Sequence, residues 1–222
     1  MHASKPLSMS SIAAVLLIGA STTRVALAED SGWYVGAIGG ITAQGNQTLD
    51  LEDASVPTAR VDLGTGFLAG ATVGYQFDSP WQVEGEIAYQ TVDVDGLTPE
   101  AFGPFDDSNF ASLTAAVNFR YMQNLFGSEK ARAFAGAGLV YLSEVDIDFE
   151  SAGMEQSFSG DDFGVQFMVG ARYKLGEQFY LESGLRYLLA SSIDLDGEGD
   201  ASGRVKADYS PYALTLSLGW QF

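Results

Sequence analysis

The chain has no cysteine, a single histidine and few bases: 11 Lys and Arg stand against 29 Asp and Glu, a formal net charge of −18. Without cysteine there is no disulfide framework, no thiol nucleophile and no cysteine-ligated metal. An oxidising compartment stays open, because a lack of thiols is harmless there. The charge has the wrong sign for nucleic acid, whose binders carry a basic footprint. Only 18% of residues are charged while 12% are aromatic, which argues against disorder. No segment keeps a helical period, and no apolar run approaches the length of a transmembrane helix. At 222 residues the chain suits one large domain.

Residues 1–28 read as a secretory signal peptide. Lys5 sits in a polar start, Ile12 to Ala20 is apolar, and Ala26-Leu27-Ala28 precedes Glu29-Asp30. The apolar stretch falls short of the roughly 20 residues that span a bilayer. A short buried helix is the bland alternative, but charge order and cleavage pattern both favour the signal. Cleavage after Ala28 takes His2, Lys5 and Arg24 with it. The remainder then has 9 bases against 29 acids, a charge of −20, and no histidine.

Residues 29–222 show strict alternation. In 66–77, Phe67, Ala69, Ala71, Val73, Tyr75 and Phe77 share one face. In 81–91, Trp81, Val83, Ile87 and Tyr89 oppose Gln82, Glu84, Glu86 and Gln90. In 111–121, Leu113, Val117, Phe119 and Tyr121 oppose Ser112, Thr114, Asn118 and Arg120. The pattern returns in 131–143, with Phe134 and Val140 on the otherwise polar side, and in 163–175, 179–190 and 212–222. Period two over ten or more residues predicts strands. With Trp33 to Ile41, whose parity the pattern does not assign, there are eight, an even number suited to an up-and-down closed sheet. Tight turns at 78–80 and 176–178, and a longer one at 122–130, alternate with long loops expected at about 42–64, 92–109, 144–162 and 193–208. The long loops fall on one end and carry most of the acid. No internal repeat or domain boundary is visible beyond the hairpin rhythm.

Alternation alone fits an apolar face turned inward, as in a soluble barrel, or outward into lipid. Two features favour lipid. Aromatics gather at the strand ends near the short turns (Trp33, Tyr75, Phe77, Trp81, Tyr121, Tyr173, Phe179, Trp220 and Phe222), as amphipathic rings do at a membrane boundary. A smaller set lies toward the long loops: Phe67, Tyr89, Tyr141, Phe163, Tyr187 and Tyr212. The opposite face carries mid-strand charges and glycines, which a lumen tolerates.

A signal peptide, eight alternating strands, short turns opposite long acidic loops, and a last strand Tyr212 to Phe222 ending in phenylalanine resemble the small outer-membrane β-barrel family, including OmpA/OmpX-type and opacity-type surface proteins. The likeness covers the whole of residues 29–222. It implies an all-β fold, an eight-stranded antiparallel up-and-down transmembrane β-barrel in the bacterial outer membrane, as a monomer. It implies as partners outer-membrane lipid and lipopolysaccharide, and, during biogenesis, periplasmic chaperones and the barrel-assembly machinery, which reads the terminal aromatic, here Phe222. The chain stops at Phe222, so no peptidoglycan-binding domain is implied.

Parity points Glu84, Glu86, Arg120, Arg132, Arg172, Glu182 and Arg186 into the lumen at nearly one depth. Buried carboxylates and guanidiniums persist when mutually satisfied. A salt-bridged plug is therefore expected in so narrow a barrel, a conducting path being the alternative. The run Asp194, Asp196, Glu198, Asp200 has the alternate acids of a calcium loop, but Val205 stands where such a loop closes with glutamate, so a solvated acidic turn is preferred and no metal is expected. No cofactor is expected either: the glycines of 36–40 and 136–138 lack the helix and Lys-Ser/Thr of a phosphate loop, and in strands ease curvature and crowding. Catalysis is not expected. The chain after cleavage has no histidine for a serine or aspartate dyad, and arginine pairing moves carboxylates the wrong way for an acid catalyst. A structural or surface role follows, with a narrow porin and a loop-borne adhesin as the alternatives.

Overall fold

The computed structural model describes residues 31–51, 58–98, 109–151, 154–198 and 204–222. The expected signal peptide lies outside them. Every regular element among them is a strand: β1 (Gly32–Ala43), β2 (Gln47–Leu51), β3 (Thr58–Leu63), β4 (Thr65–Gln76), β5 (Trp81–Thr98), β6 (Asn109–Asn124), β7 (Ala131–Ser151), β8 (Met154–Lys174), β9 (Phe179–Glu198), β10 (Arg204–Tyr209) and β11 (Tyr212–Gln221). All ladders are antiparallel. β2, β3 and β10 continue β1, β4 and β11 upward across short interruptions, so the closed sheet has eight strands, as the alternation predicts. Closure joins β1 to β11, and the Phe222 amide donates to the Trp33 carbonyl at 2.9 Å.

The ladder register fixes the shape. Stepping from Trp81 across Tyr121, Ala135, Val169, Leu185, Leu214, Ile41 and Phe67 returns to β5 beside Thr91, since Leu68 faces Gln90. That climb of about ten residues round eight strands tilts them by about 40° to the barrel axis. Placed on this slope, the aromatics fall into two level rings. The lower holds Trp33, Tyr75, Phe77, Trp81, Tyr121, Tyr173, Phe179, Trp220 and Phe222; the upper holds Phe67, Tyr89, Tyr141, Phe163, Tyr187 and Tyr212. Neighbours within a ring touch: Trp33 with Tyr75, Trp81 with Tyr121, Tyr141 with Phe163 and Tyr187 with Tyr212 have centroids 4.8–5.4 Å apart. Eight residues separate the rings on β5, roughly 27 Å along the strand and about 20 Å along the axis. Between them the outer wall is apolar and bare, with Ile87, Phe119, Leu139 and Leu185 all more than half exposed. A water-facing protein does not leave such a belt open.

The four long loops need correction. β5 runs on to Thr98, β7 and β8 meet at Ser151 and Met154, and β9 reaches Glu198, so the sheet rises well past the upper ring. In this upper storey the polarity reverses. Val61, Leu63, Val92, Val94, Phe110, Val145, Ile193, Leu195 and Tyr209 fill the interior, while Asp93, Asp194, Asp196 and Asp208 face outward. Bulges switch the phase where the storeys join. On β7 both Leu142 and Val145 are buried, with Ser143 the extra residue between them. On β9 both Ala190 and Ile193 point inward across a register shift. One added residue turns every later side chain to the opposite face.

Candidate functional site

The lower lumen holds the charges. β5 contributes Glu84 and Glu86, β6 Asn118 and Arg120, β8 Gln166 and Arg172, and β9 Glu182 and Arg186, each from the inward phase of its strand. Glu84, Arg120, Arg172 and Glu182 are buried. Arg120 bridges two carboxylates: Nη1 lies 2.7 Å from Glu84 Oε2 and Nη2 2.6 Å from Glu182 Oε1. Arg172 grips the other oxygen of Glu182, Nη2 at 2.9 Å and Nε at 3.0 Å. The chain Glu84–Arg120–Glu182–Arg172 therefore runs across the barrel with its charges balanced.

Higher up, Arg186 Nη1 pairs with Glu86 Oε1. Asn118 links this pair to the lower chain, its Nδ2 lying 3.4 Å from both Glu84 Oε1 and Glu86 Oε2, and its Oδ1 accepts from Gln166 Nε2 at 2.6 Å. Arg132 is half-buried at the rim, outside these pairings but in contact with other groups. Of the seven charges that parity turns inward, the structure thus joins Glu84, Arg120, Arg172 and Glu182 in one group and Glu86 with Arg186 in a second.

Aromatic faces complete the site. The Arg172 guanidinium stacks 3.9 Å from the Tyr180 ring centre and 5.1 Å from that of Tyr34, and Arg120 lies 4.1 Å from Phe134. Stacking of this kind stabilises a desolvated cation without neutralising it. Tyr34 also donates to Glu84 Oε2 at 3.0 Å. Sequence reasoning missed these three rings as site residues. Tyr34 sits on the strand whose parity the pattern left open. Tyr180 and Phe134 are apolar residues on a polar face, and that exception was the signal. Below them Gln76 Nε2 ties the β4–β5 turn from inside, donating to the Ser79 and Trp81 carbonyls at 2.7 and 3.0 Å.

Above the charges the lumen turns apolar. Between the two zones lies Tyr209, fully buried, its hydroxyl taking a hydrogen bond from Gln90 Nε2 at 2.8 Å and lying 2.9 Å from Ser112 Oγ. It stands above the upper ring, and burial pushes its phenol up to about 12.

Among the described residues no group of three or more acids or histidines is placed to hold a metal. The acidic run at 194–200 is not a loop over its described part: residues through Glu198 belong to β9, where Asp194 and Asp196 point outward and Asp194 lies 3.7 Å from Lys206 Nζ. Alternate residues of a strand are spread along a line and cannot wrap an ion. Asp200 lies outside the described residues.

The family model described as "Outer membrane protein beta-barrel domain" matches residues 12–222. The chain belongs to this family. It is therefore a β-barrel protein of the bacterial outer membrane, and the apolar belt between its aromatic rings is the surface that meets lipid. Three solved structures show the same fold. The chain is similar to the outer membrane protein OprG of Pseudomonas aeruginosa (19% identity, 86% of this chain and 96% of that one, TM-score 0.64). It is similar to the outer membrane protein AlkL (19%, 92% and 94%, 0.57). It is also similar to Neisserial surface protein A (14%, 87% and 100%, 0.52). No curated protein sequence matches the chain.

Proposed function

We propose that this outer-membrane barrel is a sealed, non-enzymatic wall element that acts at the cell surface. The observation that carries this reading is the filling of the lumen at two levels. A balanced ion-pair chain crosses its lower half and a packed apolar core occupies its upper half. An ion passing through would have to part Arg120 from its carboxylates and then cross apolar packing, and eight strands leave little room beside the side chains. Carboxylates held by arginine make poor proton donors, and no histidine lies among the described residues. The barrel's free surface is then the upper storey, whose outer wall carries Asp93, Asp194, Asp196 and Asp208 above the lipid belt. Outer-membrane lipid and lipopolysaccharide surround it as a monomer. Periplasmic chaperones and the barrel-assembly machinery are its biogenesis partners, with Phe222, exposed at the closing seam, as the assembly signal.

The test is ion conductance of protein purified from outer membranes and placed in a planar bilayer. Silence together with heat-modifiable migration on a gel is expected. Steady cation-selective steps would overturn the seal and make the protein a narrow porin.

A further inference from the structure

The large inward residues of the lower lumen share one arrangement. Tyr34 on β1 pairs directly with Gly74 on β4, Phe134 on β7 with Gly170 on β8, and Tyr180 on β9 with Gly219 on β11. Each ring lies down across the strand beside it, over the glycine, instead of standing into the lumen. A methyl at Gly74 or Gly219 would overlap the tyrosine ring, and one at Gly170 would come 2.2 Å from the Ser183 carbonyl oxygen and 2.6 Å from two carbons of Phe134. These same three rings are the ones the arginines stack against. A ring lying flat occupies about 3.5 Å of a narrow lumen and leaves its face free. A ring forced upright takes the space of the guanidinium.

We propose that Gly74, Gly170 and Gly219 are sockets that hold Tyr34, Phe134 and Tyr180 flat against the wall, and that these flat rings position Arg172 and Arg120 to close the lumen. The glycines and rings are positioning residues: they act on the seal through the arginines. The inference rests on the sealed-barrel reading and assigns what sets that seal. Other glycines differ: a methyl at Gly66 or Gly160 would meet a carbonyl oxygen of the facing strand with no ring among its nearest atoms. Gly39 and Gly85 point outward, and the nearest atoms to a methyl there are 3.8 and 3.7 Å away, ordinary contacts.

Gly219→Ala tests it, with Gly39→Ala and Gly85→Ala as controls, each made in the full chain, recovered from outer membranes and read for heat-modifiable migration and bilayer current. Gly219→Ala is expected to fold and leak, open-state occupancy rising about tenfold, the effect of about 1.4 kcal/mol of lost closed-state packing. Both controls are expected to stay silent. Tyr180→Leu removes the shelf under Arg172 without crowding the socket and covers the case in which Gly219→Ala fails to fold. It too is expected to leak. Silent folded Gly219→Ala or Tyr180→Leu, or controls that leak equally, overturns the proposal. A conducting wild type overturns the sealed reading instead. The sockets are then judged by whether Gly219→Ala changes conductance and ion preference relative to wild type, no change refuting them.

Discussion

Replacing Glu182 by alanine removes the one carboxylate shared by two buried arginines. Oε1 faces Arg120 and Oε2 faces Arg172, all within 3.0 Å. The four-member chain goes from balanced to one net positive charge. The two arginines do not lose equally. Arg120 keeps Glu84 at 2.7 Å, whereas Arg172 is left with the faces of Tyr180 and Tyr34. Removing one partner of a buried pair costs about 3–5 kcal/mol. With Arg120 still paired and water able to enter the vacated space, about 3 kcal/mol is expected. Glu182→Gln keeps an acceptor but not the charge, and its cost is expected to be about 1–2 kcal/mol. Adding Arg172→Leu to Glu182→Ala removes the stranded charge. The double variant is therefore expected to recover at least half of the loss, a coupling far outside additivity. Urea unfolding in lipid vesicles, followed by tryptophan fluorescence and by gel migration, measures all four corners of the cycle. A loss below about 0.5 kcal/mol for Glu182→Ala, or additive behaviour in the cycle, would show that the charges do not act as a shared network.

Three further predictions concern the upper storey. Tyr209→Phe strips the hydroxyl that Gln90 and Ser112 share, leaving both buried groups short of a partner, and is expected to cost about 1–3 kcal/mol in unfolding experiments. The Tyr209 phenol is raised in the folded state, from 10.0 to about 12, so the unfolded chain gives up this proton first. Its contribution is whole below pH 10 and lost as pH rises toward 12. A pH titration of stability in which wild type and Tyr209→Phe decline in parallel through that window would contradict this. Deleting Ser143 removes the extra residue of the β7 bulge and leaves Leu142 and Val145 two positions apart, so plain alternation keeps both inward without a bulge. A folded barrel with a protease-resistant upper storey is expected, and protease cleavage of the upper storey in this deletion variant would refute the phase argument.

Period-two alternation determined the existence, number and outward apolar face of the strands, because a sheet with lipid on one side and a lumen on the other imposes that period on every strand. The same parity turned the charged residues inward. The alternation also marked where it would mislead: the segments 131–143, 179–190 and 66–77 end beside Ser143, Ala190 and Gly64, where phase breaks between the storeys. Beyond those points an interior that is apolar and a wall that is acidic invert the lipid-belt code, so strands of the upper storey resemble loops in sequence. Tertiary structure alone decided three things. Shear, a property of the closed circuit, set which charges share a depth and so separated the Glu86–Arg186 pair from the chain centred on Arg120. Strand pairing brought each inward ring opposite a glycine, a coincidence of residues that lie 36 to 40 apart along the chain. Closure of β1 against β11 gave Tyr34 its inward phase. Each of these depends on which residues from distant strands face each other, and alternation within one strand carries no information about its neighbour's register.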